Sequence, residues 1–71
     1  MNNAITKKEL LHQAICELKF YCDDVSRGYR NKMDLYLSCM AITCFLHRMD
    51  IVGFSKMELL QQICEKKLGI L

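Results

Sequence analysis

The sequence predicts an all-α fold: one compact three-helix bundle built around an apolar central helix and spanning residues 1–71. Three observations predict it. Apolar residues recur at helical spacing in three separate runs. Short connections that contain glycine, "SRGYR" and "VGF", separate those runs and favour helices that pack as neighbours. Hydrophobic residues make up 52% of the 71-residue chain and proline is absent, a composition that suits an ordered globule rather than a linker.

The first helix is expected over about residues 6–27. In "ITKKELL", Thr6 is a suitable N-cap and Glu9 stands three residues on, the capping-box spacing; Ile5 and Leu10 have the spacing of a hydrophobic staple. Leu10, Leu11, Ala14, Leu18, Tyr21, Cys22 and Val25 share one face at 100° per residue. Arg27 suits the negative end of the dipole, and Gly28 can turn left-handed to end the helix.

The central helix is expected over about residues 31–52. Asn31 caps it, Asp34 sits in its first turn, and Gly53 ends it. Between Leu35 and Leu46 only Ser38 and Thr43 are polar, and a helical wheel resolves the apolar residues into two stripes. Leu35, Cys39, Ile42, Leu46 and Met49 form one, with the 4-3-4-3 spacing of a coiled-coil seam. Met33, Leu37, Met40, Cys44 and Ile51 form the other, on nearly the opposite side.

The third helix is expected over about residues 55–68. Ser55 and Glu58 repeat the capping box, Phe54 and Leu59 the staple, and Leu59, Leu60, Ile63 and Cys64 supply the apolar stripe. Gly69 is a natural stop, with Ile70 and Leu71 returning to the bundle. "ITKKELLHQAICE" and "FSKMELLQQICE" align closely if one residue is skipped. With no second central helix, this reads as two amphipathic helices sharing good capping residues rather than as a duplication.

Several function classes fall away on composition. A net charge of +2 is too balanced to be a nucleic-acid footprint. The apolar run is about twelve residues long, short of the roughly 20 that a membrane span needs. The five cysteines are odd in number, lie on apolar helical faces and follow no signal-peptide pattern, so reduced thiols and a cytoplasmic location are expected.

Catalytic pairs are scarce. Cys44 and His47 could touch at i, i+3, but a core thiol beside a boundary imidazole is the plainer reading, and no enzyme activity is expected. No cofactor or metal is expected either. Cys16 with Cys22, and Cys39 with Cys44, point more than about 100° apart on their helices. Neither pair has a zinc-knuckle spacing, so a thiol or zinc sensor would require ligands gathered between helices.

A helix with two apolar faces needs two surfaces to bury against, and a small chain supplies about one. A homodimer is therefore expected, with Met33, Leu37, Met40, Cys44 and Ile51 facing the partner. Tyr29 and Arg30, in the first connection, are candidate contacts with a larger protein target. The expected role is a non-catalytic regulator acting by protein–protein contact, as an inhibitor, antirepressor or adaptor. In size and class the chain is similar to small helical regulators of bacteria, phages and plasmids. The alternative is a DNA-binding regulator: "HRMDIVGFSKMELLQQ" resembles the layout of a helix-turn-helix, with Ser55, Lys56, Gln61 and Gln62 to read DNA. Lys and Arg are sparse there, and phosphate contacts dominate affinity, so nucleic acid is the less favoured partner.

Overall fold

A computed structural model describes residues 5–28 and 31–70. Among them the chain is all-helical: α1 (Lys7–Arg27), α2 (Lys32–Arg48) and α3 (Phe54–Leu68). The helices alternate in direction. Lys7 at the start of α1 reaches Asp50 beyond the end of α2, and Lys32 at the start of α2 donates to the Gly69 carbonyl beyond the end of α3. α1 and α3 therefore run parallel, with α2 antiparallel to both. The molecule is flattened, with extents of 43 × 26 × 13 Å.

The first two helices start as the sequence predicts. Thr6 Oγ1 accepts from the Glu9 amide at 3.1 Å and donates to the Glu9 carboxylate at 3.2 Å. Asn31 Oδ1 accepts from the Met33 amide at 2.7 Å. Gly28 and Gly69 both close their helices in the left-handed conformation, at φ 71° and 75°. Ile70 returns to pack on the core. Leu71, Tyr29 and Arg30 lie outside the described residues.

The connection between α2 and α3 differs from the expectation. α2 stops at Arg48, and Asp50 rather than Gly53 takes the left-handed position, at φ 58°. The Ile51 amide bonds the Leu46 carbonyl at 2.9 Å and the Asp50 amide bonds that of His47 at 3.0 Å, which is a Schellman closure. This early turn lets Val52 bury and frees Gly53 to cap α3 with extended geometry. Ser55 is thus inside the helix, not its cap, and Gly53 offers no side-chain bond. Neither staple closes: Ile5, Phe54 and Leu59 all stay exposed. Phe54 instead meets the His47 ring edge-on, with centroids 5.9 Å apart.

The core has two parts. Leu18, Cys22, Leu35, Cys39, Cys64 and Leu68 form one, and Leu46, Val52 and Met57 the other, with Ile42 packed against both. α1 buries the face expected of it, and so does α2 except at Met49, which caps the helix and is 51% exposed. α3 is rotated: Met57, Cys64 and Leu68 are buried, while Leu59 and Ile63 face outward. The two matched segments are not equivalent either, because Cys16 is exposed and its counterpart Cys64 is buried.

Candidate functional site

Two features stand out beyond ordinary packing. The first is the outer face of α2. Leu35, Cys39 and Leu46 are fully buried, so this helix is the centre of the core. Its other side carries Met33, Leu37, Ala41 and Phe45, a row with i, i+4 spacing in which every member is exposed. Met33 is 52% exposed, Leu37 58% and Phe45 51%. Ala41 and Phe45 also line a groove of about 340 Å³ whose far wall is Leu10, Gln13, Ala14 and Glu17 of α1.

The predicted partner stripe is split by this geometry. Met33 and Leu37 belong to the outward row. Met40, Cys44 and Ile51 are half-buried, and the last two pack against the core around Leu46, Val52 and Met57. Phe45 and Ala41, which belong to neither predicted stripe, take their place at the surface.

The residues of the DNA-reading alternative do not share one surface. Ser55, Lys56 and Gln62 are exposed, whereas Gln61 is turned towards α2, donating to Thr43 Oγ1 at 3.1 Å and to Cys44 Sγ at 3.8 Å. Cys44 and His47 have different neighbours: Cys44 Sγ faces the Gln61 amide, and His47 Nδ1 lies 3.4 Å from the Val52 carbonyl.

The second feature is a layer of three thiols. Cys22 of α1, Cys39 of α2 and Cys64 of α3 bring their sulfurs within 4.8 Å of one another, and all three are buried. The alternating helix directions put them at one level, because Cys22 and Cys64 lie in the later parts of parallel helices and Cys39 midway along the antiparallel one. The thiols perturb each other. A hydrogen bond to Cys39 and burial push Cys64 far above the ordinary thiol range. Burial, then the neighbouring Cys64, raises Cys22. The bond from Cys64 lowers Cys39, making it the thiol that ionises first. Cys16 and Cys44 stand apart, exposed and half-buried, and none of the five is in a disulfide.

Sequence reasoning examined cysteine pairs along each helix and so missed this layer. The signal was there in another form: each helix carries one cysteine on its core-facing stripe.

Compared with protein-family models, characterised proteins and solved structures, the chain has no significant match.

Proposed function

We propose that this chain is a non-catalytic helical regulator that acts by docking on protein, and that the outer face of α2 pairs with the same face of a second copy. The observation that carries the reading is the exposed row Met33, Leu37 and Phe45 on the helix that also centres the core. Three large apolar side chains in line on a rigid element form a patch of the kind that marks an interface. Burying the exposed half of each stabilises an assembly by roughly 0.8–1.5 kcal/mol before the cost of association. A two-fold pairing of one row on itself satisfies this with no further component. The dimer then presents its remaining surface to a larger target, and the free thiols fit a reducing, cytoplasmic setting.

Light scattering coupled to size-exclusion chromatography tests the pairing. The wild-type chain is expected to run as a dimer at tens of micromolar, and Leu37→Glu as a monomer with unchanged helical circular dichroism. A wild-type monomer throughout that range discards self-association. A dimer that survives Leu37→Glu moves the interface away from α2.

A further inference from the structure

We propose that Cys22, Cys39 and Cys64 form a binding site for a thiophilic metal or metalloid ion held by three thiolates. Cysteine serves well as a small buried hydrophobe, and one such residue in a core needs no further reason. Here each of three helices places one, at the same level, with the three sulfurs within 4.8 Å of one another. Sulfur bonds of about 2.3 Å separate three ligands by about 4.0 Å around a planar ion, and by about 3.4 Å around trivalent arsenic, whose lone pair makes the unit pyramidal. Shifts of under about 1 Å, within side-chain rotation, bring the layer to that geometry.

The ligand set selects the class of ion. Thiolates favour soft ions such as Cu(I) and Zn(II) over hard ones. Structural zinc takes four ligands, and only three His, Cys, Asp or Glu residues converge in this group of described residues. The surroundings are apolar, with Leu18, Leu35 and Leu68 in the same cluster, which disfavours completing the set with water. A three-coordinate ion fits better.

Charge narrows the choice further. Three thiolates leave a net charge of −2 around a monovalent ion, −1 around a divalent ion and none around a trivalent one. Burial penalises the first two and not the third. Trivalent arsenic meets this condition. As(OH)3 and three thiols give one As(S)3 unit and three waters: three As–O and three S–H bonds break, three As–S and three O–H bonds form, and nothing is oxidised or reduced. With a divalent ion the three thiol protons pass to solvent instead.

The site also has an approach. A groove of about 170 Å³ between α1 and α3 is lined by Cys22 and Cys64, with Lys19 and Lys67 among its other lining residues. None of the three cysteines lies on the outward row of α2, so the site stands or falls independently of the docking surface.

The experiment uses the whole chain, reduced and free of oxygen, with arsenite, Cd(II) and Zn(II) as separate probes. At least one of them is expected to bind one-to-one, raising the melting temperature and giving a sulfur-to-ion charge-transfer band, with arsenite giving the largest gain. X-ray absorption on that complex should count three sulfur neighbours. Cys39→Ala should weaken binding at least tenfold, and Cys16→Ser combined with Cys44→Ser should leave it unchanged. Three results overturn the site: no one-to-one complex with any probe, a count other than three sulfurs in the wild-type complex, or loss of binding in the Cys16/Cys44 variant. The sulfur count is made on wild-type protein, so a Cys39→Ala chain that fails to fold does not blunt the test.

Discussion

Gln61 of α3 donates from Nε2 to Thr43 Oγ1 of α2 at 3.1 Å, and Thr43 has no exposed surface. The same hydroxyl lies 3.1 Å and 3.0 Å from the Cys39 and Met40 carbonyls, to which it donates. A polar tie in an apolar interface fixes how far α3 can slide along α2, because a slipped register strands the amide without an acceptor. Thr43→Val keeps the shape but removes the acceptor, and should cost about 1–3 kcal/mol in urea unfolding. Adding Gln61→Leu removes the stranded donor and should recover most of that loss. Equal costs in the single and double variants would show that the tie carries no coupling.

Asp50 sets a second expectation, through backbone conformation. At φ 58° a side chain other than glycine is strained, although aspartate tolerates this region better than most. Asp50→Gly should raise stability by about 0.5–1 kcal/mol, or several degrees in melting temperature for a domain of this size. Asp50→Ala should lower it. Both variants remove the 3.8 Å ion pair with Lys7, whose partners are 64% and 95% exposed and contribute little. Opposite signs in the two variants would therefore belong to the turn. A loss in both would return the effect to the ion pair.

Leu35 and Leu37 are two residues apart on α2 and face opposite ways, at 0% and 58% exposure. Leu35→Ala should open a cavity in the core and cost about 2–5 kcal/mol. Leu37→Ala should stay within about 0.5 kcal/mol in dilute solution and weaken association at higher concentration. Similar costs for the two in dilute solution would mean that the second stripe is core after all.

The inward stripe of α2 is legible because Leu35, Cys39, Ile42 and Leu46 follow helical spacing, whereas the outer row runs through Ala41 and Phe45 rather than Met40 and Cys44. Caps set by side chains, Thr6 and Asn31, were equally legible. What escaped was decided between helices. The inward seam of α3 runs through Met57, Gln61, Cys64 and Leu68, a 4-3-4 spacing disguised by a glutamine whose partner, Thr43, is on another helix. Leu59 and Ile63 are more hydrophobic than Gln61 and drew the predicted stripe around the wrong side. Asp50 displaced Gly53 from the left-handed position because closing α2 early buries Val52, a gain no local rule contains. The thiol layer depends on matching levels along antiparallel helices, and spacing within one helix carries no such information.

The thiol layer also gives the ion-free protein a characteristic response to alkali. From an ordinary value of 9.0, Cys64 shifts up through its bond to Cys39 and through burial, and Cys22 shifts up through burial and its neighbour Cys64. Cys39 shifts down, because it accepts from Cys64. Above the unfolded thiol value of about 8.5, Cys39 is ionised in both states, while the two raised thiols keep protons that the unfolded chain has lost, so the folded cluster carries the excess. Stability from this source is therefore intact at neutral pH and falls as pH rises. The slope is about 1.4 kcal/mol per pH unit for one proton. Urea unfolding between neutral pH and the lysine range should show this fall in the wild type. In Cys64→Ala it should be shallower, since the most strongly raised thiol is gone and Cys39 no longer receives its bond. Parallel slopes would mean that the three sulfurs do not share protons in the folded state.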